Sequence, residues 1–361
     1  MPAQPASSSN PSNGAALTSA WRRVDEPLTT PLPGTVLVTG VCGFIGSHLA
    51  LALLKRGVAV VGVDARPVNA CPLTSGQLRR LYDYSGFRLL TAKVADPEVA
   101  NALYGVDTVV HLAAATDVAA SWGAGFSAHA TSVLETQRLL DGCASQRVPR
   151  VVVASSSHVY GPACGGIARE DQPVEPTSPY GVSKLAAERL ALAYARRPGS
   201  TLSAVALRFF TAFGPGCNPA MVVPRLFNAA RTGQAMPLFG DGNALHTWTY
   251  VSDLVDAVIR SAEVPMHAGS TEVINVAGAD QASLIQVADL VGEITGRRVA
   301  LEPYGERAGD AAGTRADLTR AGRVLGFVPQ VRLREGLVRM WQHMSSDPSP
   351  SSGTNASTSA V

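Results

Sequence analysis

Three side chains in the middle of the sequence are of the types that carry out proton transfer. Tyr180 and Lys184 stand four positions apart, which puts them on the same side of a helix predicted over residues 180–194. A lysine ammonium beside a phenol lowers the pKa of the phenol and makes it a usable general base. Ser156 belongs to a serine run, residues 155–157, that follows an apolar strand and would present its hydroxyl at the strand end. We therefore predict a catalytic Tyr180-Lys184 pair, with the serine run 155–157, which includes Ser156, at a strand end where ligands bind.

A glycine-rich turn near the start of the chain predicts a binding site for a pyrophosphate. Gly40, Gly43 and Gly46 stand three apart between a β-branched run, residues 35–39, and an apolar helical pattern. A strand that enters a helix through such a turn presents free backbone N–H groups and the positive end of the helix dipole. In this interpretation Gly40 makes the tight turn, Gly43 admits the phosphates and Gly46 lets the helix pack on the strand.

The next predicted strand ends in a carboxylate that bears on the choice of cofactor. Asp64 lies eighteen residues after Gly46, where it can accept hydrogen bonds from both hydroxyls of an adenosine ribose. The same carboxylate would repel a 2′-phosphate, so the sequence favours NAD over NADP. Arg66 is an opposing signal, because a guanidinium at that position could attract the phosphate.

The order of the predicted elements indicates the fold class. Strand-like runs alternate with helical patterns, which is typical of βαβ units, and after Phe213 proline and glycine become dense and the rhythm is lost. We predict an α/β fold: a Rossmann-type doubly wound parallel sheet with a smaller irregular α/β C-terminal substrate part. The predicted strands are 36–39, 58–64, 88–92, 108–112, 150–155 and 201–209, and the predicted late helices include 251–263 and 284–295.

The predicted division of the chain follows from the same pattern. Residues 1–33 and 345–361 are rich in Ser, Pro and small residues, and we expect a disordered leader and a disordered tail there. Residues 34–213 should form the NAD-binding domain and residues 214–344 the substrate-binding part, with the chain able to cross back between the two. The cleft between them is the expected substrate site.

Composition restricts the partners of the protein. The 30 basic and 28 acidic residues give a net charge of +2, so nothing indicates a nucleic acid or an anionic membrane as a partner. No run of about 18 apolar residues predicts a membrane span. The five cysteines are scattered without a Cys-x-x-Cys pair, which argues against a metal site and a disulfide framework and favours a reducing, cytoplasmic setting.

Taken together, motifs along residues 34–343 identify a resemblance. The sequence resembles the extended short-chain dehydrogenase/reductase family, the nucleotide-sugar epimerases and dehydratases, and within it the UDP-glucuronate and UDP-glucose 4-epimerase subgroup. The motifs that carry it are TGVCGFIGSHL (39–49), HLAA (111–114), SSSHVYG (155–161), SPYGVSK (178–184), RFFTAFGPG (208–216), GDG (240–242), YVSD (250–253) and LGFVP (325–329).

The resemblance implies a reaction and assigns roles. Tyr180 would be the base that takes the proton of a sugar hydroxyl at C4, Lys184 would tune it and hold the nicotinamide ribose, and Ser156 would bind the reacting hydroxyl. NAD would exchange a hydride with C4, so a transient 4-keto sugar would be epimerised. Dehydratases of the family carry Asp and Glu where this chain has Ser157 and His158, so elimination of water is disfavoured. His158 is interpreted either as a catalytic acid or, preferably, as a residue packed beside the site.

The resemblance also implies the binding residues and identifies departures from the family pattern. Thr211 and Ser156 are expected to contact the substrate. Lys93 replaces the usual aspartate near the adenine, Ser132 a usual asparagine, and Ala220 a usual aspartate. His246 stands where an arginine normally contacts the diphosphate, while Arg225 and Arg307 are candidate cations for it. The expected cofactor contacts are Gly40, Gly43, Phe44, Ile45, Gly46, Asp64, Val94, Leu112, Ala113, Tyr180 and Lys184.

Two alternative functions stay open at the level of sequence: a reductase of nucleotide keto-sugars that consumes NAD(P)H, and a non-catalytic NAD-binding regulatory protein. The resemblance further implies a homodimer, because in the family two helices, here expected near 129–145 and from 180, pair across a two-fold axis. The apolar residues that suggest this on the two helices are Val133, Leu139, Leu140, Leu185 and Leu190.

Overall fold

The centre of the molecule is a parallel sheet of seven strands. The computed structural model describes residues 34–67, 75–161, 166–305 and 313–346, so the predicted leader and residues 347–361 of the predicted tail lie outside the described residues. From edge to edge the strand order is β11-β7-β5-β4-β1-β2-β3. The strands are β1 (Thr35–Thr39), β2 (Ala59–Asp64), β3 (Phe87–Thr91), β4 (Thr108–His111), β5 (Arg150–Ser156), β7 (Ser203–Phe209) and β11 (Thr271–Val276).

Side chains of these strands alternate between two separate apolar layers. Val36 and Val38 belong to one core cluster together with Leu49, whereas Leu37 belongs to the other together with Leu139. Because successive residues of a strand point to opposite faces, a sheet with apolar residues at every position needs a helical layer on both sides. The predicted Rossmann-type doubly wound sheet is therefore confirmed.

Helices provide those two layers, and their bounds follow the sequence pattern closely. The helix that carries Tyr180 begins at Pro179 with Ser178 as its N-cap, whose hydroxyl accepts the Gly181 N–H. None of the described helices is long and apolar enough to cross a membrane. The helices are α1 (Phe44–Lys55), α2 (Ser75–Leu81), α3 (Pro97–Ala102), α4 (Phe126–Ser145), α5 (Pro179–Arg196), α6 (Val222–Thr232), α7 (Val251–Glu263), α8 (Leu284–Thr295), α9 (Thr319–Leu325) and α10 (Leu333–Ser346).

Small sheets and short strands make up the rest of the C-terminal part. Within residues 214–344 the chain also supplies β11, which pairs with β7 and so extends the central sheet. The last helix, α10, includes Ser345 and Ser346, the first two residues of the predicted tail. The short strands are β6 (Ile167–Ala168) with β14 (Arg315–Ala316), β9 (Met236–Leu238) with β13 (Leu301–Pro303), and β8 (Ala212–Phe213), β10 (His246–Tyr250) and β12 (Asp280–Ala282).

The sheet order locates a ligand-binding edge. β1 lies between β4 and β2, and the chain leaves β1 in one direction and returns to β4 on its other side. In open α/β sheets, ligands bind beyond the carboxyl ends of the strands at such a switch point. Here that edge carries Gly40 after β1, Asp64 at the end of β2, Leu112 after β4 and Ser156 at the end of β5.

Candidate active site

The glycine turn after β1 needs its glycines for steric reasons. Gly40 has a φ of +71°, and a Cβ there would lie 2.9 Å from the Ala113 nitrogen. A Cβ on Gly46 would lie 2.2 Å from the Gly40 carbonyl oxygen, and one on Gly43 would lie 3.0 Å from the same atom. α1 begins at Phe44, and its N-cap, Gly43, has no side chain to cap the first turn. The first N–H groups of α1 are therefore available to an anion at the mouth of the turn.

Asp64 fixes the turn from the neighbouring strand. Its carboxylate accepts the backbone N–H of Cys42 at 3.0 Å and the backbone N–H of Arg66 at 3.0 Å. The Arg66 guanidinium also pairs with it, with Nε at 3.1 Å from Oδ1. The Asp64 side chain is buried, whereas that of Arg66 is 55% exposed. The two opposing signals of the sequence thus form one ion pair, and the carboxylate is held where a ribose hydroxyl can reach it.

A buried chain of hydrogen bonds holds the strand end next to the turn. Thr39 Oγ1 contacts His111 Nδ1 at 2.8 Å, and His111 Nε2 contacts Thr136 Oγ1 at 2.9 Å. Thr136 donates to the Ser132 carbonyl, and Thr39 accepts the N–H groups of Leu112 and Ala113. These partners require that Thr39 donates to Nδ1 and that the imidazole carries its proton on Nε2. Burial lowers the pKa of His111 to about 3, so the ring is neutral.

Tyr180, Ser156 and Lys184 meet at the end of β5, as the sequence predicts. The Ser156 hydroxyl lies close enough to Tyr180 to oppose the rise of the phenol's pKa, and it accepts the backbone N–H of His158 at 3.2 Å. Lys184 Nζ donates to the Ala154 carbonyl at 3.2 Å. Burial lowers the pKa of Lys184 to about 8, because a buried ammonium is poorly solvated.

The electrostatics of Tyr180 differ from the expectation that Lys184 lowers the phenol's pKa. Burial raises the pKa of Tyr180, and only the Ser156 hydroxyl opposes this effect. The physical reason is that the Lys184 ammonium, itself destabilised by burial, is bound to a backbone carbonyl rather than to the phenol. Without a ligand the phenol is therefore held in its protonated form.

A buried ion pair supports this strand end from below. Glu188, one turn after Lys184 on α5, accepts the Ser155 hydroxyl at 2.8 Å. Arg208 on β7 forms two parallel hydrogen bonds with the same carboxylate, at 2.7 and 3.0 Å. Arg208 also lies over the Tyr160 ring, with 4.7 Å between its guanidinium carbon and the ring centroid. Because both charges are paired and buried, the pair fixes α5 against β5 and β7 in one register.

The predicted residues line one cleft of about 890 Å³, with few exceptions. Arg225 on α6 and His246 at the start of β10 do not line it. His246 nevertheless helps to lower the pKa of His158 electrostatically. Arg307 lies outside the described residues. Ser132 accepts the Ala115 N–H from its position on α4. The predicted residues on the cleft wall are Gly40, Gly43, Phe44, Ile45, Gly46, Asp64, Lys93, Val94, Leu112, Ala113, Ser156, Tyr180, Lys184 and Thr211, joined by Ala220.

Asp117 and His129 are residues of the site that were not predicted from the sequence. Asp117 lines the cleft from the loop after β4, and its place beyond a parallel strand end was a signal that could have identified it. His129 on α4 packs edge-on against Tyr180, with 6.0 Å between the ring centroids. No sequence signal indicated His129, because its approach depends on how α4 packs beside α5. His158, whose role the sequence left open, also packs edge-on against Tyr180, with 5.5 Å between the ring centroids.

These features fit a bound dinucleotide. The turn at Gly40, Gly43 and Gly46 is packed too closely to hold a Cβ, and the N-terminus of α1, which no side chain caps, lies at this turn. A carboxylate stands at the end of the second strand, and a Tyr-Lys-Ser group lies on the same cleft. Fold and site together define an enzyme class that uses a dinucleotide bound beside a Tyr-Lys-Ser group.

Comparison with known proteins gives the family. Residues 36–277 match the NAD dependent epimerase/dehydratase family. The chain belongs to this family, so the predicted extended short-chain dehydrogenase/reductase resemblance is confirmed and NAD is its cofactor.

The chain is similar to individual relatives over almost their whole length. The chain is 35% identical over 315 residues to YtcB of Bacillus subtilis (strain 168), an uncharacterized UDP-glucose epimerase, covering 86% of this chain and 98% of that protein. It is similar in structure to MoeE5 in complex with UDP-glucuronic acid and NAD, with 41% identity, a TM-score of 0.79 and coverage of 87% and 99%. It is also similar to UDP-glucuronic acid 4-epimerase from Bacillus cereus, with 32% identity, a TM-score of 0.81 and coverage of 86% and 99%.

Proposed function

We propose that this protein is an NAD-dependent nucleotide-sugar 4-epimerase that inverts C4 of a UDP-hexose. The observation that carries the proposal is the convergence of Tyr180, Ser156 and Lys184 on the same cleft as the glycine turn. The names of its relatives point to UDP-glucose and UDP-glucuronic acid as the first substrates to test. Residues 34–213 would bind NAD, and residues 214–344 would complete the substrate site.

NAD, when bound, supplies the acceptor for the hydride of C4 and the donor that returns it. Tyr180, once it has lost its own proton in the liganded site, would take the proton of the C4 hydroxyl as the sugar is oxidised and give it back as the sugar is reduced. Ser156, whose hydroxyl lies close to Tyr180, orients the same oxygen. Lys184 lies one helical turn from Tyr180 but donates to the Ala154 carbonyl, so it would favour the phenolate by turning its ammonium toward the phenol when ligands bind. Since proton and hydride both return, the reaction leaves no net oxidation.

The test is to incubate the purified protein with UDP-glucose and UDP-glucuronic acid separately, without reduced cofactor, and to follow inversion at C4 by NMR. We expect the 4-epimers to form, and Tyr180→Phe to lower kcat by about 10²–10⁴-fold because the proton acceptor is lost. Tyr104→Phe is the matched control, since Tyr104 is exposed and does not line the cleft. Stoichiometric oxidation of added NADH by a keto-sugar would instead identify a reductase, and NAD retention without any turnover a regulatory protein.

We further propose that two copies pair through α4 and α5. Leu134 on α4 is 65% exposed and Val182 on α5 is 50% exposed, and a contact through these two neighbouring helices would cover both side chains. Of the residues that suggested the dimer in the sequence, Leu139 and Leu140 face the core instead. The argument for the dimer therefore depends on Leu134 and Val182.

A cytoplasmic location is proposed on the state of the cysteines. Cys143 and Cys217, both within the described residues, are buried free thiols. Burial raises the pKa of Cys143 to about 12 and that of Cys217 to about 11. Buried protonated thiols are typical of proteins kept in a reducing compartment.

A further inference from the structure

Two imidazoles that differ in their exposure to the cleft pack edge-on against the ring of Tyr180. His129 and His158 lie at interplanar angles of 84° and 82° to it. His129 is 2% exposed and does not line the cleft, whereas His158 is partly exposed and forms part of the cleft wall. Only His158 is therefore in a position to touch a molecule that occupies the cleft.

The backbone around His158 is anchored while its imidazole is not. Its N–H donates to Ser156 Oγ, and it belongs to a 3₁₀ turn, Ser157–Val159, capped by that serine. No hydrogen bond joins the His158 imidazole to another described residue. A polar ring held rigidly on the wall of a cleft without such a partner is arranged to bind a ligand.

The protonation state of His158 limits which ligand group it suits. Burial, with a smaller contribution from His246, lowers its pKa, so the ring is neutral near pH 7. A neutral imidazole offers one donor and one acceptor, and a hydroxyl offers both in return. A carboxylate or phosphate would use only the donor.

We propose that His158 hydrogen-bonds a hydroxyl of the hexose beside C4, either that on C3 or that on C6, and so determines which sugars react. This inference rests on the proposed function, because the C4 oxygen must lie between Tyr180 and Ser156. His158 contacts both residues, one through its ring and one through its backbone. A carbon of the sugar ring next to C4, which is C3 or C5, therefore brings its substituent toward the His158 imidazole.

Two substitutions separate hydrogen bonding from packing. His158→Phe keeps an aromatic edge against Tyr180 but removes both nitrogens, whereas His158→Gln keeps a donor and an acceptor but removes the ring. We expect His158→Phe to lower kcat/KM about 10- to 100-fold and His158→Gln to stay within about tenfold of the wild type. The reverse order, with the phenylalanine variant fully active, would assign His158 to packing and overturn the proposal.

Deoxy substrates locate the contact. The wild type and His158→Phe are compared on a UDP-hexose and on its 3-deoxy and 6-deoxy analogues. On the analogue that lacks the hydroxyl bound by His158, the kcat/KM values of the two proteins should be equal within about threefold. A penalty that is the same on all three substrates would mean that His158 acts through Tyr180, and the inference would fail. His129→Phe is the matched comparison, because His129 is sealed from the cleft and its effect should be the same on every substrate.

The affinity of the NAD-loaded proteins for the same compounds, measured by calorimetry, separates this inference from the proposed function. If the wild type binds UDP-hexoses without inverting C4, the epimerase assignment fails while the pattern of affinities still decides the His158 contact. If C4 inversion proceeds and His158→Phe behaves as the wild type, only the contact is excluded. If UDP-hexoses neither bind nor react, both are excluded.

Discussion

The Asp64 carboxylate supports the glycine turn and is also the expected ribose contact. It accepts the Cys42 N–H and pairs with Arg66, whose side chain is more than half exposed. Removal of the carboxylate would loosen the turn and release a guanidinium that suits a 2′-phosphate. Asp64→Ala is expected to weaken NAD binding about 10- to 100-fold and NADP binding less, measured as two dissociation constants. Asp64→Asn, which keeps an acceptor for Cys42, should show the smaller loss; an unchanged NAD to NADP ratio in both variants would contradict this role.

His111 makes the apo-protein sensitive to acid. Its pKa is lowered from 6.5 to about 3, so between these values the unfolded chain binds a proton that the folded chain does not. Stability is therefore lost as the pH falls through this window, by about 2 kcal/mol between pH 7 and pH 5. Urea denaturation measures the difference in unfolding free energy between the two pH values for the wild type and for His111→Gln. The wild-type difference minus that of the variant is the contribution of His111. NMR provides a check that needs no variant: a His111 ring that becomes protonated above pH 5 would contradict the prediction.

The residues that could be predicted from the sequence share one physical property. Gly40 follows a strand, and Asp64 and Ser156 each end one. Because the carboxyl ends of parallel strands meet at one edge, local patterns were sufficient to bring these residues together. His129 reaches the site only through the packing of two helices, which no local pattern encodes. His246 and Arg225 were assigned by motif position, and neither lines the cleft.

At the scale of elements, periodicity predicted where helices and strands lie but not all of their partners. α7 and α8 have the predicted bounds, residues 251–263 and 284–295. β11 pairs with β7 across more than sixty residues of sequence, and that pairing is decided by the open edge of the sheet rather than by the residues of β11. The seventh strand was therefore not placed from the sequence.

The contact between α1 and the glycine turn allows a direct test. A Cβ on Gly46 would lie 2.2 Å from the Gly40 carbonyl oxygen, which is backbone and has little room to move. Gly46→Ala should therefore lower the free energy of unfolding by about 1–3 kcal/mol and weaken NAD binding at least about tenfold. Gly76→Ala on α2 is the control, because a Cβ there meets nothing within 4 Å, and it should be neutral or slightly stabilising. Equal behaviour of the two variants would show that the close contact is not needed.

At the scale of the whole molecule, one buried polar network connects the catalytic strand end to the C-terminal part. Arg208 contacts Glu188 on α5 and lies over Tyr160, and the Tyr160 hydroxyl donates to Asn275 on β11 at 2.6 Å. Asn275 in turn donates to the carbonyls of Ala168 and Asp317. Because every link is a directed contact between different elements, the substrate-binding part and the Tyr180 helix are held in one arrangement.

The proposed dimer gives the last prediction. α4 and α5 are joined by hydrogen bonds from Gln137 to Tyr194 and from Tyr194 to Asp141, and Leu134 on α4 and Val182 on α5 are exposed. We expect light scattering after size exclusion to give the mass of two chains for the wild type and of one chain for the Leu134→Glu, Val182→Glu double variant. Charges placed at the centre of an apolar interface stay unpaired when it closes, which costs several kcal/mol.

The control for this prediction is Val328→Glu, a similarly exposed apolar residue outside α4 and α5. It should leave the dimer intact, because a single exposed valine elsewhere is ordinary surface. Tyr180, the proposed proton acceptor, lies on α5, so the monomeric variant should also lose part of its activity as this helix loses support. A wild type that is monomeric at micromolar concentration, or a dimer that survives both glutamates, would place the contact elsewhere and leave the exposed leucine unexplained.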